Sequence, residues 1–133
     1  MGLDDVLQEV ASEDQAIEVV YLFGSQATGR AHPKSDVDVG ILYVKGHQVG
    51  LKELVRLAQE IEDRAGLKTE VEVVSLNGKD ARFLEEVIRG GKPVYVKDES
   101  KKVEFEAQNL IRYLDYQHYL REYDKFVKKR VTS

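Results

Sequence analysis

Seven residues, Ile17-Glu-Val-Val-Tyr-Leu-Phe23, run up to Gly24, and no other stretch restricts the fold of this chain as strongly. Six of the seven are β-branched, aromatic or Leu, the composition of a buried strand, and Gly24 ends it. Such a strand needs a sheet around it and elements packed on that sheet. The rest of the chain must supply them.

Residues 3–14 place Leu3, Val6, Leu7 and Val10 on one helical face. Gly24 to Lys34 holds two Gly and a Pro and reads as turn, with a helical turn after Ser25. Val37 to Val44 reads as a second strand. Its inward set is Val37, Val39 and Ile41, which leaves Asp36, Asp38 and Gly40 together on the opposite face. Leu51 to Ala65 is an amphipathic helix with Leu51, Leu54, Val55, Ala58 and Ile61 as its stripe, ended by Gly66. Thr69 to Leu76 alternates, with Val71 and Val73 pointing one way and Glu70, Glu72 and Val74 the other. Asn77-Gly78 breaks that strand, and Asp80 is placed to cap a helix reaching Arg89. Gly90-Gly91 ends the helix, Val94-Tyr95-Val96 reads as a short edge strand, and Glu99 to Val127 contains no Gly or Pro. The pattern predicts an α/β (α+β) fold, a small mixed sheet flanked by helices. Residues 1–98 form the domain, and 99–133 form a C-terminal helical extension that packs on it, on a partner, or on both.

A chain of 133 residues buries a core as one domain without staples. With no Cys, disulfides, thiolate catalysis and thiolate metal sites drop out. No apolar run approaches the ~20 residues of a membrane span, and the acidic start Met1-Gly-Leu-Asp-Asp5 is unlike a signal peptide, so a cytoplasmic location is expected. A net charge of −4 argues against general binding to nucleic-acid backbone. The charge is uneven, however: Lys101 to Arg130 holds eight Lys or Arg against five Asp or Glu. One Met, no Cys and many Lys, Arg and Glu would also suit a thermophile.

The chemistry lies in Phe23-Gly-Ser-Gln-Ala-Thr-Gly-Arg-Ala-His-Pro-Lys-Ser-Asp-Val-Asp38. A strand delivers the chain to Gly24, where a missing side chain lets backbone approach a ligand. Ser25 offers a hydroxyl and an N–H at the start of a helical turn, a natural seat for phosphate oxygens. Asp36 and Asp38 then project from one side of a strand, where two close carboxylates repel unless a cation sits between them. Oxygen ligands beside phosphates favour Mg²⁺. Glu72 is the best candidate for a third carboxylate, because it lies mid-strand between Val71 and Val73, where an unpaired buried acid would be costly. Glu70 shares its face and is the fallback. The expected reaction is in-line attack on an α-phosphorus with pyrophosphate leaving, and a carboxylate such as Glu72 accepts the acceptor's proton.

Gly24-Ser25, Gly29 and Ser35-Asp36-x-Asp38 resemble the signature of the DNA polymerase β nucleotidyltransferase superfamily, and within it the minimal nucleotidyltransferases, or MNT domains. The resemblance covers roughly residues 15–97, including Gly90-Gly-Lys-Pro-Val-Tyr95 as the glycine-to-strand ending. It implies that Gly24 and Ser25 hold the triphosphate of ATP and that Asp36 and Asp38 bind magnesium, with Ser35 in the same nucleotide-binding stretch. The chain departs from the pattern at Glu72, where Asp is usual, and at Thr28, where many members carry Arg. Arg30, two residues on, is the candidate for the missing phosphate contact. Members of this size are antitoxins that transfer AMP from ATP to a tyrosine of an all-helical HEPN ribonuclease toxin. Larger relatives modify aminoglycosides or similar hydroxyl compounds with the help of a substrate domain this chain lacks. The resemblance thus implies a HEPN-type partner. The alternatives are a catalytically weak module that neutralises its partner by binding, and a small-molecule nucleotidyltransferase.

In the tail, Phe105, Tyr116, Tyr119, Tyr123 and Phe126 form one stripe, and Val103, Leu110, Tyr113, Leu114, Leu120 and Val127 a second. One helix cannot bury both against a domain this small, so a partner or homodimer surface is expected. Arg112 and His118 echo a HEPN active-site spacing, but the strong strands exclude that all-helical fold. His32, His47 and His118 show no metal-ligand spacing and read as solvated.

Overall fold

Strand β1 (Ile17–Phe23) forms as the sequence predicts and lies inside a four-stranded sheet of order β3-β2-β1-β4. The computed structural model describes residues 2–24 and 37–132, so the readings made for Ser25, Arg30, Ser35, Asp36 and the turn around them lie outside the described residues. The other elements are α1 (Leu3–Ser12), β2 (Val37–Tyr43), α2 (Leu51–Ala65), β3 (Val71–Ser75), α3 (Ala81–Gly90), β4 (Lys92–Val96) and α4 (Glu99–Thr132). β1 pairs antiparallel with β2 and β4, while β3 runs parallel to β2, so the sheet is mixed. A parallel neighbour cannot be reached by a hairpin, which is why α2 intervenes between β2 and β3.

Both faces of the sheet are covered. Val20, Leu22, Val37, Val39, Ile41, Val71 and Val73 pack under Val6, Leu7 and Val10 of α1 and Ala58 and Ile61 of α2. On the other face Val19, Tyr21 and Leu76 pack against Leu84 and Val87 of α3, with Phe105 of α4 alongside. Ile17 shares the α1/α2 side with Val20 and Leu22, a three-residue step that strict alternation forbids. A break in pairing register between Ile17 and Val19 accounts for it.

Local signals set the helix ends. Asp80 caps α3 by accepting the Phe83 N–H at 2.8 Å. Gly66 ends α2 in the left-handed conformation, φ +63°. The stripe of α2 differs from the expected one: Leu54, Leu57, Ala58, Ile61 and Ala65 pack on the core, while Leu51 and Val55 stand exposed. Among the described residues β3 is the sheet edge, so the side of α2 that looks past it meets no further strand there. Leu51 and Val55 instead line an open groove along β3.

α4 is fastened to the sheet by its first turns. The buried Tyr21 hydroxyl donates to Glu106 Oε2 at 2.8 Å, and Lys102 holds the other Glu106 oxygen at 3.3 Å. Asn109, itself buried, donates to the Ala81 carbonyl at 3.1 Å. From Leu110 outward the large apolar side chains of α4 lie largely in solvent. No described helix is long and apolar enough to cross a membrane.

Candidate active site

The strand register assembles the site. Asp38 pairs with Phe23 of β1 on one side and with Glu72 of β3 on the other. Directly paired residues point to the same face, so Phe23, Asp38 and Glu72 form a row across the sheet. Two residues deeper the next row is Tyr21, Gly40 and Val74, which is apolar apart from the Tyr21 hydroxyl. The acidic row therefore sits where the covered part of this face ends.

Gly24 follows Phe23 with φ +76°, a conformation that any residue with a side chain resists. A Cβ there would run into the Asp38 carboxylate. The Asp38 side chain thus occupies the space left by the missing side chain, and the glycine is demanded twice, by conformation and by contact. Gly40, in the middle of the deeper row, is filled by Leu76: a Cβ would come within 2.9 Å of Leu76 Cδ2.

Glu72 is exposed, which corrects the expectation of a buried acid between two valines. Val71 and Val73 turn to the α1/α2 core, and alternation leaves Glu72 on the α3 side of the sheet, exposed on its edge strand. Burial cost is therefore not what marks this residue; its register with Asp38 is. Glu70 precedes β3, is also exposed, and its carbonyl accepts the Val37 N–H at 3.1 Å. Residues in register on neighbouring strands lie about 4.8 Å apart at the backbone, near enough for two carboxylates to reach one cation, and Mg²⁺ is commonly bound by one or two carboxylates plus phosphate oxygens. The pair Asp38–Glu72 has the donor chemistry for this. Among the described residues no group of three His, Cys, Asp or Glu is placed to hold a metal.

The sequence reading overlooked Phe23 as part of this row. Phe83 of α3 packs edge-on against it, ring centroids 6.0 Å apart and planes at 84°. The carboxylates are therefore bordered by an aromatic pair on the β1 side. Only the register reveals this, because Phe23 and Asp38 are remote in sequence.

The model of the family described as polymerase beta, nucleotidyltransferase, matches residues 5–100. The chain belongs to that family. It is a nucleotidyltransferase by fold and by family. No curated protein matches it in sequence. A solved candidate minimal nucleotidyltransferase is 30% identical, covering 70% of this chain and 96% of that one, with a TM-score of 0.53. A chain of a toxin–antitoxin crystal structure with AMP-PNP matches at TM-score 0.72 and 21% identity, covering 98% of each chain. Another comes from the tri-AMPylated Shewanella oneidensis HEPN toxin in complex with MNT antitoxin, at TM-score 0.68 and 18% identity, covering 98% of this chain and 97% of that one. At these identities the last two establish likeness of fold over nearly the whole of each chain.

Proposed function

We propose that this chain transfers AMP from ATP to a hydroxyl in a magnesium-dependent reaction, and that the acceptor is a tyrosine of a HEPN-type toxin for which the chain is the antitoxin. The observation that carries the chemistry is the pairing of Asp38 with Glu72 beside Gly24. The acceptor is supported by the whole-length likeness of fold to chains from toxin–antitoxin complexes, one of them with an AMPylated HEPN toxin.

In this reading Gly24 and Ser25 seat the triphosphate, with Arg30 and Ser35 adding contacts to its oxygens. Asp36, Asp38 and Glu72 hold Mg²⁺, with Glu70 in reserve. When bound, the metal supplies neutralisation of the phosphate charge. The acceptor oxygen attacks the α-phosphorus, the new P–O bond forms as the bond to pyrophosphate breaks, and the hydroxyl proton passes to a carboxylate, Glu72 being best placed. Residues 1–98 carry this chemistry and residues 99–133 serve association. The use of ATP and a toxin partner fits work in the cytoplasm.

The test is transfer of labelled AMP from ATP to the cognate HEPN-type protein with magnesium present. Asp36→Asn combined with Asp38→Asn should abolish it while the thermal midpoint is kept. Absence of product with the intact chain defeats the reading. Glu72, where the family pattern has Asp, favours one rival, a module that neutralises by binding alone. That rival gains if the double Asn variant still protects cells. Labelling of a free aminoglycoside without any protein would point to a small-molecule enzyme instead.

A further inference from the structure

The two edges of the sheet are built differently. β4, on one edge, begins Lys92-Pro93 and breaks register against β1 between Val20 and Tyr21. A lysine, a proline and a register break are devices by which an edge strand avoids pairing with another chain. β3, the other edge among the described residues, reads Val-Glu-Val-Val-Ser in unbroken register and has none of them. Its flanks bond to β2 through the Glu70 carbonyl and the Leu76 N–H. Strand alternation therefore turns the N–H and C=O groups of Val71, Val73 and Ser75 outward, away from β2. α2 overhangs this row. Leu51 and Val55 are 77% and 48% exposed and line, with β3, a groove of about 550 Å³. Three carboxylates, Glu62, Glu70 and Glu72, face the groove against one basic residue, Lys79, and Glu72 joins it to the row of the candidate active site.

We propose that an extended segment of the partner adds to β3 as a fifth strand and presents the acceptor tyrosine opposite Glu72, an inference that rests on the AMP transfer proposed above. Outward backbone groups beside an apolar overhang suit an extended peptide, which takes its affinity from the backbone and its specificity from alternate side chains. Charge decides whose segment it is. A second copy of this chain would bring the same three carboxylates to the edge, and like charges across strands are unfavourable. A basic segment of a different protein is favoured there. Paired residues share a face, so the residue opposite Glu72 points into the row of Phe23, Asp38 and Glu72, its Cβ about 5 Å from that of Glu72. Its two neighbours point the other way, toward Leu51 and Val55. The segment is thereby specified: a tyrosine between two apolar residues, with a Lys or Arg two positions from the tyrosine to face Glu70. A loop or tail of an all-helical partner can take this form, whereas one of its helices cannot.

The probe is the peptide Lys-Val-Tyr-Val-Lys with isotope-labelled valine carbonyls, added to the full chain without nucleotide. It should bind saturably, and the infrared band of the labelled carbonyls should move to the position of a paired strand. Leu51→Ser with Val55→Lys, both at exposed positions, should weaken binding at least tenfold and keep the thermal midpoint. Replacing both peptide lysines by Asp should weaken it as much. No saturable binding, an unmoved carbonyl band, or undiminished binding to the double variant overturns the proposal. With ATP and magnesium, AMP should pass to this peptide at least tenfold faster than to Val-Val-Tyr-Lys-Lys, which lacks the alternation. Equal transfer to the two, or transfer to the partner protein and to neither peptide, overturns the proposal and leaves AMP transfer standing. A peptide that binds as expected while no acceptor is ever labelled ends the transfer reading, and the acceptor role with it, but not the docking edge.

Discussion

Asp38 and Glu72 are register partners across the parallel β2–β3 pair, so two carboxylates separated by α2 in the chain stand in one row on the α3 side of the sheet. Side by side in one row, they have the donor chemistry to share a divalent cation, so metal binding at this row can be read as a gain in stability.

Replacing Glu72 with Gln should lower AMP transfer by at least about 100-fold, the scale for loss of a positioned acid–base or charge-stabilising group. Without metal the variant should melt close to the wild-type temperature, since Glu72 is exposed and surface substitutions change stability little. Adding Mg²⁺ with ATP should raise the melting temperature of the wild type more than that of the variant. Differential scanning fluorimetry reads both effects. A variant that transfers AMP normally excludes Glu72 from the site.

Gly24→Ala should cost about 1–3 kcal/mol through the unfavourable φ alone. It should also push the Asp38 carboxylate aside and so weaken ATP binding measured by titration calorimetry. A merely strained turn would lose stability and keep affinity.

Gly40→Ala lies one row deeper and should behave differently. The added methyl meets Leu76 Cδ2, and overpacking of this kind costs about 1–3 kcal/mol. Chemical denaturation should show the loss, while the fraction that is folded keeps its affinity for ATP.

Tyr21 and Tyr43 make stability fall in alkali. Burial raises the pKa of the Tyr21 hydroxyl above the usual tyrosine value, and the hydrogen bond to Glu106 raises it further. Burial does the same for Tyr43, helped by the negative charges of Glu53 and Asp14. A group whose folded pKa is raised contributes fully below its unfolded pKa, near 10, and loses that contribution as pH climbs above it. The unfolding free energy should therefore drop by up to about 1.4 kcal/mol per pH unit for each tyrosine above that point. Tyr21→Phe should flatten the slope; an unchanged slope would show that Tyr21 ionises freely in the fold.

Local periodicity in the sequence determined most of the elements and the face each residue takes. The β-branched run ending at Gly24, the alternation around Asp38 and Glu72, the Asp80 cap and the unbroken stretch after Glu99 all rest on interactions within a few residues, which a sequence carries directly. Pairing is a different matter. That β3 lies beside β2 in parallel, placing Glu72 against Asp38 and Phe23 in the same row, depends on register between segments with no local trace of one another. The same holds for the Tyr21–Glu106 bond, whose partners stand 85 residues apart, and for Leu51 and Val55, apolar by sequence yet exposed beyond the edge strand. The sequence alone named the candidate carboxylates. Only the tertiary structure decided which of them stand together, because strand neighbours are chosen by the packing of the whole sheet.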